Sequence, residues 1–306
     1  MSKGTLGIAV VGLGGAVGTT MVAGIELLKK GLIETEGLPL AGICDSLAAY
    51  DEIVFAGWDL NDANLAEAAA EHGVLSHKQF VQCEAALSRI FPWQAFGNTD
   101  FLANIEGLNM NASGSHEDSV TAIREQLREF GAGCGSAVVI NLASTEKIVD
   151  LDDDCFASID SFESAISENS PSVSPAMLYA YAAILEEIPY GNFTPSAAAD
   201  IPGLIQLAEK KGVPVAGKDG KTGQTFIKTV LAPALKARAL QVEGWYSTNL
   251  LGNRDGLALS DEDSLASKVK TKQSVLKSIL GYEVEDHNVD IRYYKPRGDN
   301  KKRSEE

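Results

Sequence analysis

No run of apolar residues in the 306-residue chain approaches the ~20 that a membrane span needs, so the sequence predicts no transmembrane helix and no membrane partner. The N-terminus, MSKGTLGIAVVGLGG, lacks a signal peptide's order of basic, apolar and cleavage regions. Its glycine-broken apolar run reads instead as a buried strand. Excess basic charge is missing too. A formal net charge of −16 leaves nothing with which to displace phosphate counterions along a nucleic acid, although a small anion could still occupy a local basic pocket. Zinc-like spacing is absent from the four cysteines, Cys44, Cys83, Cys134 and Cys155, which read as free buried thiols in a reducing cytosol. His72, His77, His116 and His287 are scattered, so no zinc site is visible, and Asp152-Asp153-Asp154 reads as a solvated loop without fixed ligand geometry. Repeats and low-complexity tracts are also lacking. What remains, with 45% hydrophobic and 22% charged residues, is the composition of a soluble globular protein long enough for two domains.

The order of elements predicts an α/β protein. Residues 6–13 read as a short buried strand, followed by a glycine turn and a helix. PLAGICD (39–45) and EIVFAGWD (52–59) read as two further strands, each ending in an aspartate. NDANLAEAAAEHG carries an Asn or Asp cap, an alanine-rich helix and a terminal glycine. Residues 75–115 are expected to be helix and loop. SAVVINLAS is a continuous apolar strand, and SPAMLYAYAAILEEI a helix with a serine cap and proline at its first position. GNFTPS and PVAGKDG read as strand-to-loop transitions on either side of IPGLIQLAEKKG. Buried strands alternating with helices indicate a Rossmann-type, doubly wound parallel sheet. After residue 225 the texture changes: a helix with Pro233 inside it, the β pattern QVEGWYSTNLLG, a basic amphipathic helix over SLASKVKTKQSVLKSILGY, and an alternating strand over HNVDIRYYKP. The expected division is therefore 1–223 for a dinucleotide-binding domain and 224–306 for a second α+β domain.

Two glycine-containing turns could carry chemistry. Gly12-Leu13-Gly14-Gly15-Ala16-Val17-Gly18 follows a strand and opens a helix, the context in which backbone N–H groups and a helix dipole receive a pyrophosphate. Asp45 and Asp59 both stand where an acid would hold an adenosine ribose, and either could equally cap the next helix. The second turn, GKDGKTGQT (217–225), looks at first like a P-loop, but only two residues separate Gly217 from Gly220 where the pattern demands four. It reads equally as a solvated turn with a helix cap or as an anion site on the N–H groups of residues 222–225, with Lys221 and Asp219 nearby. Lys268 and Lys272 lie at i and i+4, suited to a phosphate clamp or a proton-transfer lysine, or to a solvated basic face. Asn253-Arg254-Asp255-Gly256 and PRGDNK read as turns.

Six blocks, VGLGGAVGTT, DEIVFAGWDLNDANLAEA, GKDGKTGQT, NLLGNRDG, SKVKTKQSVL and DHNVDIRYYKPRGDNK, together and in this order resemble the myo-inositol-1-phosphate synthase family over nearly the whole chain. The resemblance implies an NAD-dependent isomerase converting D-glucose 6-phosphate to 1D-myo-inositol 3-phosphate in inositol and phospholipid biosynthesis. Oxidation at C5 acidifies C6, C6 closes on C1 by an intramolecular aldol step, and C5 is reduced again, without net redox change. Carried over by motif, Gly12, Gly14, Gly15, Ala16, Val17 and Gly18 line the NAD pyrophosphate and Asp59 is favoured over Asp45 for the ribose. Thr222, Gly223, Gln224 and Thr225 hold the substrate phosphate with Lys272. Lys268 and Lys301 move protons and stabilise charge, and Asp219, Asn253 and Asp255 position the substrate or those lysines. A cytoplasmic homotetramer is implied, with contacts from the region after 225. Arg254 and Leu250 stand where many eukaryotic members have asparagine and histidine, a bacterial-type pattern. The family continues beyond the position matched by Glu306, so the chain is expected to be an incomplete member. The competing expectations are an ordinary NAD-dependent sugar-phosphate dehydrogenase and an NAD-binding fragment without activity.

Overall fold

The computed structural model describes residues 4–41, 43–44, 47–101, 107–111, 114–220, 223–252, 274–295 and 303–305. Six parallel strands form the larger sheet: β1 (Leu6–Val11), β2 (Ile53–Asp59), β3 (Trp93–Gln94), β4 (Ser136–Asn141), β5 (Tyr190–Asn192) and β6 (Val215–Ala216). Their order across the sheet is β3-β2-β1-β4-β5-β6. The chain therefore winds outward in one direction from β1 and in the other from β4, and the crevice between those two strands is where such sheets bind ligands.

The apolar run of β1 is explained by burial on both faces. Val10 joins Val22, Ala23 and Leu27 of α1 (Ala16–Lys29), Leu65, Ala66 and Ala69 of α2 (Leu65–His72), and Cys83 and Leu87 of α3 (His77–Leu87). Ala9 and Val11 instead face the cluster built with α4 (His116–Ala132), α5 (Ile159–Ser167), α6 (Pro175–Leu185) and α7 (Pro202–Lys211). From Pro175 to Ile184 every residue of α6 is buried, which accounts for a helix apolar all round rather than on one stripe. Trp58 lies wholly inside, its ring centroid 5.0 Å from Trp93 and 4.9 Å from Tyr179, and its Nε1–H donates to Gln126 Oε1 at 2.6 Å. Gly57 beside it has φ +153°, and a Cβ there would lie 2.0 Å from the Val10 carbonyl oxygen. Only glycine lets β2 approach β1 at this point.

The expected alanine-rich helix is α2, capped by Asn64, which accepts from the N–H groups of Ala66 and Glu67, and closed by left-handed Gly73. The strand expected at 39–45 does not form. Its described residues make local turns, with Ala41 N–H donating to Leu38 O and Ile43 N–H to Leu40 O. Leu38, Leu40 and Ile43 are exposed, and both flanks of β1 are already taken by β2 and β4. Asp45 lies outside the described residues.

After β6, α8 (Gly223–Ala237) carries Pro233 inside it. It leads to β7 (Gly244–Leu251), which pairs parallel with β8 (Asp286–Tyr293) and antiparallel with β9 (Arg303–Glu305) in a second, three-stranded sheet. Residues 274–280 are helical, and Leu276 and Leu280 cover Ala232 and Trp245 in a separate small core.

Candidate functional site

Because the strands are parallel, the loops after β1, β4, β5 and β6 all leave the same edge of the sheet. The first is the glycine turn. Gly12 and Leu13 donate their N–H groups to Trp58 O at 2.9 and 3.1 Å, tying the turn to the end of β2. Gly12 has φ +86°, and a Cβ there would stand 2.9 Å from Cα and N of Ala143 in the loop after β4. A Cβ on Gly18 would lie 2.4 Å from Leu13 O, so the turn and the first coil of α1 interlock. Gly15 is the N-cap of α1 and supplies no side chain, and the first turn holds no acidic residue. Its N–H groups have no acceptor within the helix, and the helix dipole adds positive potential. Val17 is 63% exposed, consistent with open space in front of this turn.

Asp59 ends β2 beside the turn. Its Oδ2 accepts from Gly14 N–H at 2.8 Å and its Oδ1 from Asn61 N–H at 3.0 Å, so the carboxylate holds the glycine turn as well as facing it. His72, from the last turn of α2, sits 2.9 Å from Gly14 O through Nε2. The turn is thus braced from β2, α2 and the β4 loop.

In the loop after β4, Glu146 is buried. Its Oε1 accepts from Ala176 N–H at 2.9 Å, its own N–H donates to Ser196 Oγ at 3.0 Å, and its Oε2 has no hydrogen-bond partner among the described residues. Burial pushes the carboxyl up from 4.5 to about 7, against the pull of Ser174 and of the Ala176 N–H. The Ala176 bond also corrects the expected serine cap. Ser174 is at the N-cap of α6 and Pro175 follows it, but the Ser174 side chain makes no cap bond, and Glu146 from 30 residues away satisfies the helix start.

The turn after β6 is the second candidate. Gly220 N–H donates to Phe193 O at 3.1 Å, Lys218 pairs with Asp200 at 2.8 Å, and Asp219 is half-buried. Gly223 (φ +56°) opens α8, and Gln224 and Thr225 in its first turn are buried. Behind them Lys228 is fully buried, its Nζ 3.3 Å from Gln224 Oε1 and 3.0 Å from His287 Nε2 on β8. Ser247 on β7 donates to the same Gln224 oxygen at 2.6 Å. Burial and then the Lys228 charge push the His287 imidazole below its usual 6.5. Thr222, Asn253, Asp255, Lys268, Lys272 and Lys301 lie outside the described residues.

Residues 34–276 match the NAD-binding model of myo-inositol-1-phosphate synthase. The chain belongs to the myo-inositol-1-phosphate synthase family. An inositol-3-phosphate synthase 1 of Bacteroides thetaiotaomicron is 38% identical over 324 residues, covering 98% of this chain and 75% of the relative. The inositol-3-phosphate synthase of Spirodela polyrhiza is 30% identical, with 98% of this chain and 67% of the relative covered. Among solved structures, the Caenorhabditis elegans inositol-3-phosphate synthase superposes with TM-score 0.90 at 26% identity over 99% of this chain and 67% of that one. A myo-inositol-1-phosphate synthase-related protein of Thermotoga maritima gives 0.78 at 27% identity, over 97% and 76%.

The family binds NAD, and the geometry at the β1–β4 crevice fits that cofactor: an uncapped helix start without acidic residues, a glycine turn lying close against its neighbours, and a carboxylate at the end of β2. Sequence reading found these residues but missed Glu146, His72, Lys228, Ser247 and His287. Only Lys228 left a trace there, four residues after Gln224 on the same helical face. Replacing Asp59 by asparagine keeps an acceptor for Gly14 N–H but removes the charge and the acceptor for Asn61 N–H. Asp59→Asn is expected to weaken NAD binding about tenfold, the scale of one charge-assisted hydrogen bond, and to narrow the preference for NAD over its 2′-phosphorylated form. Calorimetric titration with both nucleotides measures this; an unchanged preference would remove Asp59 from ribose recognition and leave it as a brace of the turn.

Proposed function

We propose that this chain converts D-glucose 6-phosphate to 1D-myo-inositol 3-phosphate. The observation that carries the reading is the presence of two separate anion-receptive helix starts on one edge of the sheet, α1 after the glycine turn and α8 after residues 217–222, within a chain of this family. Gly12, Gly14, Gly15, Ala16, Val17 and Gly18 receive the pyrophosphate, and Asp59 holds the ribose. Bound NAD supplies reversible oxidation at a sugar carbon, so the overall reaction is an isomerisation.

The substrate phosphate sits on the start of α8, held by Thr222, Gly223, Gln224 and Thr225 with Lys272. Lys268 and Lys301 hold and move the proton at C6 and neutralise charge on the developing oxyanions, the largest electrostatic demand of the aldol closure. Asp219, Asn253 and Asp255 orient the sugar or these lysines. We divide the chain at 223/224, into an NAD-binding domain and a catalytic and assembly domain. We assign it to a cytoplasmic homotetramer serving inositol and phospholipid synthesis.

The test follows product and cofactor together. Glucose 6-phosphate and NAD are expected to yield inositol phosphate with no accumulating NADH. NADH rising in step with product would establish a sugar-phosphate dehydrogenase instead. Calorimetric NAD binding with no product at high protein concentration would identify a binding module.

A further inference from the structure

Lys228, Ser247 and His287 have no role in the reading above, yet they build one connected polar cluster from three elements. Lys228 on α8 is 0% exposed, and so is Gln224 one turn before it. Two donors converge on one oxygen: Lys228 Nζ at 3.3 Å and Ser247 Oγ at 2.6 Å both meet Gln224 Oε1. A hydroxyl can also accept, so Ser247 alone would tolerate a flipped amide. An ammonium can only donate, so Lys228 forbids the flip. The Gln224 NH2 is thereby fixed on the opposite side of the amide. There, buried in the first turn of α8, Nε2 has no hydrogen-bond partner among the described residues. A buried amide donor held in one orientation and left without an acceptor is built for a ligand oxygen.

Lys228 needs its own anchor. Its Nζ lies 3.0 Å from His287 Nε2, and because the ammonium cannot accept, the ring must offer a lone pair there and carry its proton on Nδ1. His287 stands opposite Trp245 in the β7–β8 register, so the second sheet sets its position. The chain of contacts runs from β8 through Lys228 to Gln224 at the helix start.

We propose that Lys228 and His287 are positioning residues that lock the Gln224 amide as a donor to a phosphate oxygen at the start of α8. This rests on the reading of residues 222–225 as the substrate-phosphate anchor. The experiment compares the wild type with Lys228→Met, His287→Leu and His287→Gln. It measures calorimetric affinity for inorganic phosphate and for NAD, KM and kcat for glucose 6-phosphate, and the melting temperature.

Lys228→Met and His287→Leu are expected to weaken phosphate binding and raise KM about tenfold, the scale of one hydrogen bond to a charged group. NAD affinity and kcat should stay near wild type in both; the melting temperature should stay near wild type in Lys228→Met and fall in His287→Leu, which takes an acceptor from the buried ammonium. His287→Gln, whose Oε1 can accept from Lys228, should restore most of the phosphate affinity that His287→Leu loses. A folded Lys228→Met protein that binds phosphate as the wild type does would overturn the proposal. So would a wild type that binds no phosphate, or variants that lose phosphate, NAD and melting temperature together. If the phosphate series behaves as expected while the wild type makes no inositol phosphate, the positioning role stands and the reaction assignment alone fails.

Discussion

A Gly12→Ala protein is expected to bind NAD about a hundredfold more weakly than the wild type while remaining folded. The residue has φ +86°, where a side chain is strained, and its new Cβ would be 2.9 Å from Cα and N of Ala143. Strain at such a position is about 1–3 kcal/mol, and the clash is with backbone, which cannot rotate away. The turn cannot retreat either, since the N–H groups of Gly12 and Leu13 are bonded to Trp58 O. The movement therefore falls on the β4 loop, which opens away from the glycine turn across the crevice where the pyrophosphate must be met by several N–H groups at once. About 3 kcal/mol borne by the bound state is about two orders of magnitude in affinity. Gly24→Ala is the control. It adds the same methyl group in α1, where a Cβ meets nothing within 4 Å, and should raise stability by about 1 kcal/mol with NAD affinity kept. NAD titration and thermal melts of both variants check this, and a Gly12→Ala protein with wild-type affinity would show that the turn does not carry the cofactor.

Gly12 also marks how far the sequence could be read. The glycine turn, the strand before it and the helix after it were legible because each rests on a local signal: an apolar run, a φ requirement, a helix opening. Asn64 and Gly73 were legible for the same reason, one as a cap and the other as a left-handed terminus. PLAGICD failed because an apolar stretch becomes a strand only if a sheet edge is open to it, and β1 already has β2 and β4 on its two sides. The failure belongs to topology, which no window of seven residues contains. Glu146 and Lys228 were missed for a related reason. A glutamate in STEK and a lysine in FIKT look like solvated charges. Their burial is decided by α6, 30 residues on, and by β8, 59 residues on. What the chain conceals is thus its buried polar contacts, whose partners are distant in sequence, the Glu146 cap of α6 among them, whereas its first glycine turn and the Asn64 and Gly73 caps declare themselves.

Glu146→Gln is expected to remove a pH dependence of stability worth about 3 kcal/mol between pH 4.5 and 7. Burial raises the carboxyl from 4.5 to about 7, so within that window the folded protein keeps a proton that the unfolded chain has released. Unfolding then releases a proton, and stability falls as pH rises. The contribution is fully present below 4.5 and lost as pH passes about 7. Glutamine retains an oxygen to accept from Ala176 N–H and places an NH2 where the protonated carboxyl had its OH, so the cap of α6 survives. The variant should melt with the wild type near pH 5 and about 5 °C above it at pH 8, given roughly 2 °C per kcal/mol for a chain of this size. His287 acts in the opposite sense. Its folded value is pushed below 6.5, so its share of stability is present above 6.5 and lost as pH falls through the lower folded value. Because both proteins contain His287, the difference between their melting curves isolates Glu146. Parallel curves from pH 5 to 8 would mean that Glu146 is ionised throughout in the folded protein, with the α6 N-terminus outweighing its burial. The glutamate would then be a permanent negative charge one loop away from the glycine turn, disfavouring the cofactor's pyrophosphate at every pH.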